Sequence, residues 1–241
     1  MNSFRPTGPA AAFLKEVAVQ YFWLWIICLM LACIFLWLEG KKKHAYAAAL
    51  KGMASLCFVL LGFLSARMTS NGTLAHNVIS GLCLGLIADV LLNLRFVFPD
   101  AGRKIFLIGI LVFLAGHVMY IIALVPVCSH LPAALIAAAV LTAALVCWIF
   151  TKITAAKAFK IFGVFYLGAI MVMTCIAFAN LFAAPSVFTG MFAAGALLFL
   201  GSDIILILNT FGPKSRENLR IANILLYYMG QLLIASSLQF I

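Results

Sequence analysis

Long apolar runs alternate along this chain with short polar breaks. A run of ~20 predominantly apolar residues can cross a bilayer as a helix. Such runs occupy residues 18–38, 45–65, 75–94, 104–125, 131–150, 159–182, 188–210 and 221–241. The breaks between them read "EGKKKH", "RMTSNGT", "RFVFPDAGRK", "PVCSHLP", "TKITAAK", "AAPS" and "FGPKSRENLR". The pattern predicts an all-α, polytopic integral membrane bundle of about eight transmembrane helices forming one domain over residues 1–241. The "AAPS" break between spans six and seven has no charge or histidine at all, which leaves seven or nine spans open there.

Composition agrees and narrows the class. The 241 residues are 66% hydrophobic and 9% charged, and the mean hydropathy is +1.20. A soluble domain with a charged surface is excluded, and eight spans leave no room for a sizeable soluble one.

Charge then sets the expected orientation. The breaks after spans one, three, five and seven, with their flanks, carry Lys41, Lys42, Lys43, Arg95, Arg103, Lys104, Lys152, Lys157, Lys160, Lys214, Arg216 and Arg220. The other side carries Arg5, Lys15 and Arg67. Lys and Arg are retained on the cytoplasmic side of short loops, so both termini are expected outside. The net charge of +10 follows from topology and contact with anionic lipid, which leaves nothing for a nucleic-acid partner to explain. The Lys41–Lys43 run follows the first apolar segment, unlike the charge of a signal peptide, so span one is expected to be retained. A multi-pass place in a bacterial inner (plasma) membrane is the expected location.

Cys28, Cys33, Cys57, Cys83, Cys128, Cys147 and Cys175 form no C-x-x-C pair, so no disulfide framework is expected. His44, His76, His117 and His130 are scattered, three of them near span ends. No metal site and no cofactor are expected.

Four ionisable residues stand inside the apolar runs: Lys51, Asp89, His117 and Asp203. Such groups normally face a protein interior or a wet cavity. At 1.5 Å per residue, Asp89 lies ~9 Å along its helix from Arg95, Lys51 ~12 Å from Lys43, Asp203 ~16 Å from Lys214 and His117 ~20 Å from Lys104. All four therefore fall between the cytoplasmic surface and a little past the midplane, where one pocket can hold them. Tyr120 follows His117 by three residues, Asn93 follows Asp89 by four, and "YYMGQ" places Tyr227, Tyr228 and Gln231 at similar depth. Gly81, Gly85 and Ala88 would let a neighbouring helix come close.

Each has a plainer reading. Lys51 can snorkel to the interface, His117 can be an interhelical hydrogen-bonding group, the tyrosines can be packing aromatics, and either aspartate can pair structurally with Lys51. Two nearby carboxylates in low dielectric suit an acid and a base. That serves hydrolysis through an oxocarbenium-like intermediate and equally serves proton-coupled transport.

The residues also resemble a known family. "LKGMASL", "GLIADVLL", "GHVMY", "FYLGAIMVM", "GALLFLGSDIILILNTF" and "LLYYMGQLLIASS" are similar, in order and over nearly the whole chain, to the YhhN-like lysoplasmalogenases. In that family Gly usually precedes the first Asp; here it is Ala88. The resemblance implies cofactor-free hydrolysis of the vinyl ether of a lysoplasmalogen, or a related ether lysophospholipid, to a fatty aldehyde and glycerophosphoethanolamine or glycerophosphocholine. Asp89 and Asp203 would be acid and charge stabiliser or base, in either order, and His117 an orienting or relay group. Tyr228 and Gln231 would position water, and Lys51 would hold an Asp ionised or approach the lipid phosphate. Tyr120, Tyr166, Ser202, Asn209 and Tyr227 complete the expected positioning set. Partners would be the lysophospholipid and membrane lipids. A proton-coupled transporter, a non-catalytic lipid-binding protein and a metal-dependent lipid amidase like the alkaline ceramidases are the alternatives. Only His117 lies well inside a span, which disfavours the last, and two halves with Gly- or Pro-broken helices, a pointer to transporters, are not evident.

Overall fold

A backbone N–H or C=O in hydrocarbon has no water to bond, so an apolar run satisfies its own hydrogen bonds by becoming a helix. The computed structural model describes residues 21–241, and each expected span there is a helix. They are α1 (Phe22–Gly40), α2 (His44–Ala66), α3 (Gly72–Val97), α4 (Gly102–Leu124), α5 (Leu131–Phe150), α6 (Lys157–Ala183), α7 (Val187–Phe211) and α8 (Glu217–Ser237). The described residues contain eight helices long and apolar enough to span a membrane and no strand. This is an integral membrane protein. Arg5, Lys15 and residues 18–20 of the first expected span lie outside the described residues.

Local chemistry sets the ends. Asn71 caps α3, its Oδ1 accepting from Leu74 N at 3.1 Å. Pro99 follows α3 closely and cannot continue it, so a 3₁₀ turn (Pro99–Ala101) leads into α4. The uncharged break between spans six and seven is closed by a capping box: Thr189 N donates to Ser186 Oγ at 3.1 Å, and Ser186 N donates to Thr189 Oγ1 at 2.9 Å. Those bonds satisfy orphan N–H groups that charge was not needed to mark. Several boundaries shift by a few residues, two of them at arginines. α3 continues to Val97 and α8 begins at Glu217, so Arg95 and Arg220 are helical residues rather than loop charges. At the other end α8 stops at Ser237, and a 3₁₀ turn covers Leu238–Phe240.

The arrangement is apolar outside and polar inside. Trp23, Trp37, Phe63, Ile136, Phe165 and Phe182 are exposed on the surface, whereas Lys51, Asp89, His117, Asp203 and Gln231 are buried. An apolar surface of this extent suits lipid rather than water. The last helix is the hub: α8 packs on α7, α2, α1 and α3. α5 lies at the periphery, chiefly against α6.

Close approach at the hub depends on two glycines. A Cβ on Gly195 of α7 would meet the carbonyl oxygen of Gly230 at 2.8 Å, and one on Gly230 would meet that of Gly195 at 2.8 Å. Backbone cannot yield as a side chain can. Gly230→Ala is therefore expected to destabilise the protein by about 1–3 kcal/mol through overpacking. Gly190→Ala, whose Cβ would meet only Leu181 Cδ1 at 4.0 Å, should be neutral or stabilising by up to about 1 kcal/mol. Thermal unfolding of the two variants in detergent checks this, and equal midpoints would contradict it.

Candidate functional site

Five helices and Lys51 of α2 enclose a cavity of about 110 Å³. Its inner end is formed by Lys51, Asp89, Tyr166, Ser202, Asp203 and Tyr227, and its outer end by Arg95, Phe96, Phe106, Phe159, Phe211 and Arg220. Counted from the helix ends at the Arg95–Arg220 side, Lys51, Asp89, Tyr166, Asp203 and Tyr227 sit ~10–15 Å deep. Of the four ionisable residues expected in one pocket, Lys51, Asp89 and Asp203 line the same cavity and His117 does not. His117 lies ~22 Å from its end of α4, behind the cavity wall.

The two carboxylates, 1% and 3% exposed, are held differently. Asp89 Oδ1 is 3.0 Å from Lys51 Nζ. Its Oδ2 accepts from Ser55 Oγ at 2.6 Å and from Tyr227 Oη at 2.6 Å. A second rank of donors backs the first. Tyr120 Oη donates to Gln231 Oε1 at 2.9 Å, and Gln231 Nε2 donates to Tyr227 Oη at 3.4 Å. Tyr228 Oη lies 3.2 Å from Ser55 Oγ and 3.2 Å from the Lys51 carbonyl. In the Tyr120–Gln231–Tyr227 relay every hydrogen points toward the Asp89 carboxylate, and such bonds reinforce each other in low dielectric; Tyr228 instead donates to the Lys51 carbonyl. The Phe35 ring of α1 lies 5.6 Å from Lys51 Nζ and adds a cation–π contact.

Asp203 has sparser company. Its Oδ2 accepts from Tyr166 Oη at 2.7 Å. No Lys or Arg lies within ion-pair distance of it among the described residues; its other polar neighbour is His117 Nε2, at 3.9 Å. His117 Nδ1 is 2.9 Å from the Phe113 carbonyl. A carbonyl only accepts, so Nδ1 carries hydrogen and the neutral ring keeps a lone pair on Nε2. That Nε2 is buried and has no hydrogen-bond partner. Phe113 packs against both tyrosines, with ring centroids 6.4 Å from Tyr166 and 5.7 Å from Tyr227, and so joins the two carboxylate settings through one apolar wall.

The remaining expected residues divide by position. Lys51, Asp89, Tyr166, Ser202, Asp203 and Tyr227 line the cavity. Ser202 also ties α7 to α8, accepting from Asn223 Nδ2 through Oγ and through its carbonyl, both at 2.9 Å. Tyr120, Tyr228 and Gln231 do not line the cavity; they support Tyr227 and Ser55 from behind. Asn209 is apart from the carboxylates, its Oδ1 accepting from Arg216 N at 2.7 Å and closing the loop before α8. Gly81 and Gly85 make room for side chains more than for a helix backbone. A Cβ at Gly81 would be 2.5 Å from the Tyr120 ring and one at Gly85 would be 2.9 Å from Gln231 Nε2. Ala88 is fully buried.

Sequence reasoning missed Ser55, Asn223, Arg95 and Arg220. Ser55 follows Lys51 by four residues and Asn223 precedes Tyr227 by four, so helical spacing was the available signal. The arginines were masked by their part in the topology count. All seven cysteines are free. Among the described residues no three His, Cys, Asp or Glu side chains cluster as metal ligands.

Fold and cavity define a polytopic membrane protein with a largely apolar chamber, holding two carboxylates, sunk among its helices. The chain matches the YhhN family over residues 46–238, more than half its length, and it belongs to that family. No curated protein and no solved structure matches it.

Removing one partner of a buried ion pair leaves the other charge uncompensated, at about 3–5 kcal/mol. Lys51→Met should therefore be strongly destabilising, and Lys51→Met combined with Asp89→Asn should recover much of the loss. A double-mutant cycle of unfolding in detergent measures this; additive effects would contradict the coupling.

Proposed function

We propose that the protein is a lysoplasmalogenase-type hydrolase that cleaves the vinyl ether of a single-chain ether phospholipid, with Asp203 as proton donor and Asp89 as the anion. One observation carries the assignment. Lys51 and two hydroxyl donors converge on Asp89, while Asp203 has Tyr166 alone as donor and no Lys or Arg partner among the described residues. The carboxyl without a cation is the one free to carry a proton into an apolar chamber.

The reaction balances with water as the other reactant. The π electrons of the vinyl ether take the Asp203 proton at the β-carbon, and positive charge spreads over the α-carbon and ether oxygen. Asp89, already fixed by its donors, stabilises that charge without reorganising. Water adds to the α-carbon as the Asp203 carboxylate takes its proton. The hemiacetal then loses its hydroxyl proton as the bond to the glycerol oxygen breaks, and that oxygen is protonated. The products are a fatty aldehyde and a glycerophospho alcohol. His117 Nε2, 3.9 Å from Asp203 Oδ2 and without a hydrogen-bond partner, would orient the acid on closing to ~3 Å.

The cavity supports a lipid substrate held by its reacting end. About 110 Å³ is well below the ~300–1,000 Å³ of a site that encloses a drug-sized ligand, so the acyl-like tail stays among lipid-facing side chains. The bias of Lys and Arg toward the loops beside Arg95 and Arg220 supports a cavity mouth on the cytoplasmic side.

Aldehyde release from a lysoplasmalogen by purified protein in detergent tests the proposal. Asp203→Asn should lower turnover about 10²- to 10⁴-fold, as expected for loss of a general acid. Asp89→Asn should lower it about 10²- to 10³-fold. Wild-type turnover in either folded variant would refute the assignment.

A further inference from the structure

The lysoplasmalogen reading requires a cation for the phosphodiester of the headgroup, and Lys51 is engaged by Asp89 at 3.0 Å. We propose that Arg95 is that cation, a binding site for the phosphodiester anion of a single-chain lipid at the outer end of the cavity; the inference rests on the hydrolase reading above.

Four observations converge. Arg95 and Arg220 line the same cavity as the two carboxylates. The Arg95 guanidinium carbon lies 4.5 Å from the Phe96 ring centroid and 4.3 Å from that of Phe106. Aromatic contacts of this kind fix the guanidinium while leaving its in-plane N–H groups for an anion. Its Nε is buried without a hydrogen-bond partner, and no carboxylate lies within ion-pair distance of Arg95 among the described residues. Arg220, by contrast, is ion-paired with Glu39 of α1. Arg95 is therefore the one of the two without a carboxylate at ion-pair distance among the described residues, and Arg220 flanks it with its charge directly paired.

The spacing fits the ligand. Arg95 is ~9 Å along α3 from Asp89. In an alkenyl glycerophospholipid the phosphorus is about seven bonds from the vinyl β-carbon, which spans ~8 Å at the ~1.2 Å per bond of an extended chain. The backbone rise and the ligand length are of one scale, so a lipid whose phosphate engages the Arg95 fork can extend its vinyl ether toward the carboxyl groups. Guanidinium and phosphate pair bidentately, so the site selects phosphodiester lipids over neutral glycerol ethers.

Arg95→Gln and Arg95→Lys would be assayed on a lysoplasmalogen and on an alkenylglycerol that lacks phosphate. Arg95→Gln should raise KM for the phospholipid about tenfold or more, leave kcat within about twofold and leave KM for the neutral ether unchanged. Arg95→Lys, which keeps charge but not the fork, should fall between. An unchanged KM for the phospholipid, or an equal rise for both substrates, would overturn the inference while leaving the hydrolase reading intact. Binding of an acyl lysophospholipid, which has no vinyl ether, supplies a readout independent of turnover. Wild type should bind it about tenfold or more tightly than Arg95→Gln, and that result without any aldehyde formation would sustain this site while refuting the hydrolase reading. Inorganic phosphate at equal concentration should not displace the lipid; displacement would reassign the site to free phosphate and overturn the inference.

Discussion

A buried carboxylate in a bundle surrounded by lipid is tolerable only if its charge is answered, and the Lys51–Asp89 pair is the answer on which the rest of this interior depends. Lys51 comes from α2 and Asp89 from α3, while the tyrosine that completes the set comes from α8. Three helices are thereby registered on one charge. Ser55 and Tyr228 extend the same network to the Lys51 backbone, and Gln231 and Tyr120 extend it to α4. The ion pair that a plainer reading would call structural is also what makes the chamber chemically asymmetric. One carboxylate is saturated with donors, and its counterpart on α7 is left with a tyrosine and an imidazole lone pair.

The asymmetry is supported by helix packing that sequence motifs only partly announce. Gly195 and Gly230 bring α7 and α8 into backbone contact, which sets Asp203 and Tyr227 against the same cavity. Gly81 and Gly85 on α3 leave the volume that Tyr120 and Gln231 fill. α1 precedes the region shared with the family, yet its Phe35 and Glu39 meet Lys51 and Arg220. The first helix thus supplies a cation–π contact at the inner end of the cavity and an ion-pair partner for Arg220 at its outer end.

Much of this was legible because lipid imposes simple rules. Runs of ~20 apolar residues become helices almost regardless of sequence detail, so the spans followed directly, with their number left open only at the "AAPS" break. An ionisable residue in such a run must face inward, which singled out Lys51, Asp89, His117 and Asp203. Partner choice was less legible. Whether Lys51 snorkels, pairs with Asp89 or reaches a phosphate depends on which helices neighbour each other, and hydropathy carries no such information. Arg95 was hidden by its place near a span end, where a basic residue is expected for topology alone. Asn209 illustrates the opposite error: it stands near Asp203 in sequence and in a shared motif, but its side chain closes a loop. The uncharged "AAPS" boundary became definite only through the hydroxyls of Ser186 and Thr189.

Protonation at carbon, rather than at oxygen, is the step that the proposed hydrolase reading assigns to the two unlike carboxyl groups. Its direct test is hydrolysis of a lysoplasmalogen by the wild-type protein in deuterated water, with early-time mass spectrometry of the aldehyde. The account predicts one deuteron bound to the carbon next to the aldehyde group, beyond that acquired by a preformed aldehyde under the same conditions. An enzymatic aldehyde without that deuteron would contradict it.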